Sequence, residues 1–186
     1  SKAAWVVAAA PIALAATWDP VQATAYGDVL AAEALHVGRA LVTAPVVDIA
    51  RVPTAGGTDE GFGEDPLLTS RIAVAQIRAM QERGVLASVA HLAADTQRTE
   101  RDTVDAVVAP RPLRELYLAP FEAAVVEGEV ASVTCAPNRL NGTHACEDPT
   151  LLGTVLRDEW GFDGFVRSGH GATRSTTASV TAGLDL

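Results

Sequence analysis

The densest run of chemically able side chains spans 56–66, GGTDEGFGEDP, where Asp59, Glu60, Glu64 and Asp65 place four carboxylates within seven residues. Carboxylates on a loop after a strand can move protons or hold hydroxyls, whereas acidic groups just before a helix complement its positive N-terminal end. Glu64 and Asp65 precede a helical run and are read as helix-start residues, so Asp59 and Glu60 remain as candidate ligand-binding groups. A second set is built on imidazoles. His91 ends an apolar run with Asp95 four residues on, and His170 follows another such run directly after Gly169. An imidazole beside a carboxylate can act as an acid/base pair without a nucleophile, which makes His91, Asp95 and His170 the candidate catalytic residues. The competing reading is that His91 keeps a buried hydrogen bond and His170 fills space. His144, in the loop NGTHAC, is a candidate binding residue, while His36 falls in a helical run and is read as structural. No metal-ligand spacing joins these groups, and no metal or cofactor is expected.

These residues need a scaffold, and the chain alternates short apolar runs with longer amphipathic ones, the pattern of strand–helix units with a parallel sheet. Strands are expected over 11–16, 40–47, 85–91, 130–136 and 164–168, and helices over 21–37, 66–83, 111–127 and 149–160. Asp19-Pro20 and Asp65-Pro66 supply cap and first-turn residues, and Gly84, Gly128 and Gly161 supply stops. His91, Gly169 and the carboxylates of 59–60 then follow strands at their C-terminal ends, the face on which (β/α)₈ barrels carry their sites. Five strands fall short of eight. The expected fold is therefore α/β, a (β/α)₈ barrel-like domain over 1–186, incomplete in this chain, with its missing strands supplied by a second chain, a second copy or other parts of the same product.

Of 186 residues, 48% are hydrophobic and 20% charged, enough apolar material for a packed domain. A net charge of −9 with 14 Lys and Arg leaves no basic patch for nucleic acid or an anionic membrane. No apolar run reaches the ~18 residues that cross a bilayer. The lack of a recognisable signal peptide favours a cytoplasmic location, with secretion left open. Cys135 and Cys146, eleven apart, suit either one local bridge or two buried thiols. One lysine against thirteen arginines in an alanine-rich chain reads as a GC-rich bacterial codon bias.

The ordered series VVDIARVPTAGGTDEGFGEDP, ASVAHLAAD, PRPLRELYLAPFEAAV, SVTCAPNRLNG, LLGTVLRDEWGFDGFVRSGHG and AGLDL resembles the N-terminal barrel of glycoside hydrolase family 3, from about Pro11 to Leu186. That family contains β-glucosidases, β-xylosidases and β-N-acetylhexosaminidases. The resemblance implies a nucleophilic Asp within Ser-Asp-Trp after the EWGF segment, where this chain has Ser168, Gly169 and His170. It also sets Gly57 where the family has an Arg, Ala90 where it has a Lys and Pro137 where it has a Tyr, each a donor to sugar hydroxyls; of that constellation only His91 remains. The family's acid/base carboxylate comes from a later domain or mobile loop and is expected beyond Leu186.

Retaining hydrolysis needs an attacking carboxylate about 5 Å from an acid, and glycine cannot attack. The expected activity is accordingly acid/base elimination of water from a hydroxylated metabolite, a tailoring step of bacterial secondary metabolism, with His91 and Asp95 or His170 as acid and base. Gly169, Asp59, Glu60 and His144 would line the substrate. The alternatives are a bacterial β-glucosidase or β-xylosidase represented by a partial or altered chain, and a non-catalytic sugar-binding or scaffold protein. In each case the expected partner is a small sugar-like or polyhydroxylated molecule.

Overall fold

A computed structural model describes residues 9–186. Helix α1 (Pro11–Ala15) and helix α2 (Pro20–His36) lead into a short strand β1 (Leu41–Val42), a long loop, and helix α3 (Pro66–Glu82). Strand β2 (Leu86–Leu92) is followed by β3 (Asp105–Ala106), α4 (Pro110–Pro112), a π-helical stretch Leu113–Leu118 and α5 (Ala119–Val126). Strand β4 (Ser132–Cys135), the small strands β5 (Arg139–Leu140) and β6 (Thr143–His144), a π-helical segment Thr150–Glu159, strand β7 (Phe165–Ser168) and α6 (Thr176–Ala182) complete it.

The helix starts follow from capping. Asp19 accepts from Val21 N at 2.9 Å and Asp65 from Leu68 N at 2.7 Å, each before a proline whose missing N–H costs nothing in a first turn. The run 11–16, expected as a strand, is helix α1 instead. Its proline occupies the first helical turn, and its alanines and leucine are strong helix formers without the β-branching that favours a strand. The strand expected over 40–47 shrinks to two residues, because Pro45 has no N–H to continue the ladder.

Strands β1, β2, β4 and β7 form a parallel sheet in that order. Val89, Val133 and Val166 share one register row and are fully buried, while Ala90, Thr134 and Arg167 share the next, on the opposite face. On that face Ser88 Oγ meets Ser132 Oγ at 3.0 Å and Thr134 Oγ1 at 2.8 Å. Arg167 Nη1 donates to Thr43 Oγ1 at 2.7 Å, joining the two edges of the sheet. Flat strands ~4.8 Å apart would separate those edges by roughly 14 Å, so the sheet is strongly curled. Four parallel strands with outer helices make an incomplete barrel of the (β/α)₈ type, not the five strands expected. The AGLDL segment closes onto β7: Leu186 O accepts from Ser168 N at 2.8 Å, and Asp185 Oδ2 accepts from Val166 N and Arg157 Nη2 at 2.8 and 2.7 Å.

Outside the sheet, α2 packs against α3 through the small residues Ala23, Gly27, Ala31 and Ala34. A Cβ at Gly27 would lie 2.6 Å from Gln76 O and 2.9 Å from Ala79 Cβ. Gly27→Ala should therefore destabilise by about 1–3 kcal/mol through helix displacement, although alanine gains about 1 kcal/mol in intrinsic helix propensity. Urea unfolding measures this; a stabilised variant would show that the helices separate freely.

Candidate active site

After Pro45 the chain continues beside β2 through single hydrogen bonds, Ala90 N to Pro45 O at 3.0 Å and Val47 N to Ala90 O at 2.8 Å. This carries Asp48 to the C-terminal end of β2, where the register is irregular between Ala90 and Leu92 and His91 turns out of line. Asp48 Oδ2 accepts from His91 N at 3.0 Å and lies 3.3 Å from His91 Nδ1, while Oδ1 accepts from Asp95 N at 3.1 Å. Asp95 Oδ2 is 3.2 Å from the same Nδ1. Arg101 Nε donates to both Asp95 oxygens at 2.9 and 3.0 Å, and its Nη2 also reaches Asp95 Oδ2 and lies 3.5 Å from His91 Nε2. The Asp95 side chain is 1% exposed, Asp48 10%, His91 16% and Arg101 27%.

Two carboxylate oxygens against Nδ1 assign its proton, so Nε2 of a neutral His91 carries the lone pair. Burial raises the Asp48 carboxyl above its ordinary 3.8, against the pull of the His91 contact. Asp48, His91 and Asp95 offer ligand atoms within 4.8 Å of one another. Their lone pairs are nevertheless committed to N–H donors, and the Arg101 cation sits on Asp95, which makes the group a hydrogen-bonded network rather than a cation cage.

The other expected residues are placed differently. Gly169 directly follows β7, buried, with its N–H on Cys135 O at 3.1 Å; a Cβ there would lie 2.9 Å from that carbonyl oxygen. His170 is exposed and makes no hydrogen bond to the network. Asp59 is exposed, Glu60 pairs with Arg98, and His144 Nε2 accepts from Arg139 Nε at 3.3 Å while its Nδ1 is buried without a partner. His91 and Asp95 are thus brought together, and His170, Asp59 and His144 do not touch them. Cys135 and Cys146 form a disulfide at the end of β4. Asp48 and Arg101 complete the network and were not singled out from sequence; Asp48 stood in the VVDIARVP run directly after a strand, the position that marks barrel site residues.

Residues 2–183 match the model of the glycosyl hydrolase family 3 N terminal domain. The chain belongs to glycosyl hydrolase family 3. Among relatives in this family, it is 45% identical over 175 residues to a beta-glucosidase of Rhizobium radiobacter, covering 94% of this chain and 21% of that protein. It is 40% identical over 173 residues to an exo-alpha-(1->6)-L-arabinopyranosidase of Bifidobacterium longum, covering 93% of this chain and 23% of that protein. The solved family 3 structure of DesR, a beta-glucosidase from Streptomyces venezuelae in complex with D-glucose, superposes with TM-score 0.92 and 42% identity over 95% of this chain and 22% of that one. Beta-glucosidase 3B from Thermotoga neapolitana gives TM-score 0.94 at 38% identity, over 96% of this chain and 25% of that one. The chain therefore spans about a fifth to a quarter of the proteins it matches. No helix among the described residues is long and apolar enough to cross a membrane.

Asp48→Ala would leave His91 N and Asp95 N without their acceptor and should cost about 3 kcal/mol, read from the urea midpoint at unchanged slope. A loss below about 1 kcal/mol would mean that the loops hold without it. Because the folded Asp48 value is raised, its contribution to stability is complete below 3.8 and is lost as pH climbs through the folded value. Stability measured across that window should fall in the native protein, and Asp48→Asn, which cannot ionise, should flatten the decline.

Proposed function

We propose that the protein is a sugar-recognising, β-glucosidase-type member of family 3 in which His91 and Arg101, held in place by Asp48 and Asp95, bind the hydroxyls of a β-glucoside-like ligand. The observation that carries this reading is the largely buried carboxylate–imidazole–guanidinium network at the C-terminal end of β2. Such a network offers an imidazole lone pair and guanidinium N–H groups held in one geometry, and fixed polar groups of this kind bind a polyhydroxylated ligand with little reorganisation. Support comes also from the relatives, among them beta-glucosidases and one solved with D-glucose. In this reading retaining hydrolysis has no attacking oxygen at position 169, where the resemblance expects the nucleophile.

A second reading, acid/base elimination of water from a hydroxylated metabolite, is favoured by the bracketing of His91 Nδ1 by Asp48 and Asp95. His91 Nε2 would take the proton from carbon as the C–O bond breaks, and the imidazolium so formed, backed by the two carboxylates, would return that proton to the departing hydroxide, which leaves as water. Mass spectrometry separates the two readings: elimination removes one water from the ligand, whereas recognition returns it unchanged.

The full-length protein should bind D-glucose in titration calorimetry and should cleave a dinitrophenyl β-glucoside no faster than solvent. Robust cleavage would show that another group attacks. Gly169→Asp should not restore activity simply, because its Cβ meets Cys135 O at 2.9 Å; we expect a loss of about 1–3 kcal/mol in stability. A stable, fully active Gly169→Asp protein would show that the strand end adapts.

A further inference from the structure

Arg98, in the loop after β2, grips the loop after β1 at three points. Its backbone N–H donates to Ala55 O at 3.0 Å, its Nη2 donates to the Glu60 carboxylate, and its guanidinium lies against Gly57. A Cβ at Gly57 would be 2.7 Å from both Nε and Nη2 of Arg98 and 3.1 Å from Cζ. Gly57 is not among the glycines with positive φ, so the backbone there does not call for glycine. What a side chain would meet is the guanidinium, the far end of a flexible arm, so a Cβ at 57 would push Arg98 out of this position rather than strain the backbone.

Arg98 also lines, with Asp48, Thr58 and Asp95, a cavity of about 30 Å³, which is room for one small polar group. Among the described residues Nε and Nη1 of Arg98 donate to no protein acceptor, and the side chain is 30% exposed. Asp48, Glu60 and Asp95 stand against Arg98 and Arg101 in and around this cavity. Positive charge is nowhere in surplus, so the site suits an uncharged hydroxyl better than a carboxylate or phosphate.

We propose that Arg98 is a specificity-determining residue that donates to a hydroxyl of a neutral sugar, and that Gly57 is the residue that admits it. This rests on the sugar-recognition reading above. The test is calorimetric titration of the full-length protein and of Arg98→Ala, Arg98→Lys, Gly57→Ala and the Gly57→Ala/Arg98→Ala double variant, with D-glucose, D-glucuronate and D-glucose 6-phosphate as probes. Far-ultraviolet circular dichroism checks that each variant is folded, and hydrogen exchange over residues 51–62 reports the loop. Glucose should bind more tightly than either charged sugar. Arg98→Ala and Gly57→Ala should each weaken glucose about tenfold, the double variant no more than Arg98→Ala alone, and Arg98→Lys should recover only part. Exchange over 51–62 should rise equally in Arg98→Ala and Gly57→Ala. Native-like glucose binding by Arg98→Ala, additive losses in the double variant, or a preference for a charged sugar would overturn the proposal while leaving sugar recognition standing. A native protein that binds none of the three sugars overturns the recognition reading itself, and Arg98's part in it.

Discussion

Two oxygens of one carboxylate hold together the loops that follow β1 and β2. Asp48 accepts the backbone N–H groups of His91 and Asp95 and faces His91 Nδ1, so the chain from 91 to 95 wraps around it. Removing a carboxylate from water costs several kcal/mol unless donors replace the lost hydration, and here the replacement comes mostly from the backbone. That choice has a structural consequence. Backbone donors cannot swing away as side chains can, so Asp48 fixes both the strand end that carries His91 and the turn that carries Asp95. Arg101 then settles on Asp95, and Arg98 settles on Ala55, Gly57 and Glu60 further out along the same pair of loops.

Crowding governs the neighbouring strand ends. Ala136 N donates to Leu92 O at 2.6 Å and Gly169 N to Cys135 O at 3.1 Å, which draws the ends of β2, β4 and β7 into close backbone contact. The donors at those points, Ala136 and Gly169, are small, and the disulfide from Cys135 to Cys146 ties the β4 end to the following loop. Glycine at 169 and the approach of the Cys135 carbonyl explain each other: the first leaves room, the second fills it. A side chain introduced there has to move backbone that is bonded on both sides, and that differs from reopening a vacant socket.

The parallel order of β2, β4 and β7, the capped helices α2 and α3, and the placement of His91 at a strand end were legible in the sequence, since each rests on local periodicity or on an Asp-Pro start signal. The helix at 11–15 was not, because a five-residue apolar run has no period long enough to separate strand from helix and the alanines decide the matter only through their propensity. The pairing of His91 with Asp95 was legible from their four-residue spacing near a strand end. Asp48 was not, because it lies 43 residues away and reaches the site only through the extension of the chain beyond Pro45 alongside β2. Arg101 escaped for a similar reason: the irregular loop 93–104 brings it back onto Asp95, and no periodicity describes such a loop. The exposed positions of Asp59 and His170 depend on how loops fold over, which residue type and spacing do not encode.

The network's internal satisfaction bears on what a ligand can gain from it. Asp95 is saturated by Arg101 and His91, and Asp48 by two backbone N–H groups and the imidazole. What remains for a ligand is the uncommitted N–H groups of Arg98 and Arg101, together with the lone pair of His91 Nε2 that it would share with Arg101 Nη2, few groups but held rigidly. The family resemblance expects an Arg, a Lys and a Tyr as further donors at positions where this chain has Gly57, Ala90 and Pro137, and Ala90 and Pro137 are buried with no polar side chain to offer. A sugar in this site would therefore replace fewer of its water hydrogen bonds, and each unreplaced one subtracts from affinity. On the proposed reading such recognition would be weak and orientation-specific, and Arg98, brought across from the second loop onto Gly57, would supply one guanidinium on the side of the site where the resemblance expects an Arg.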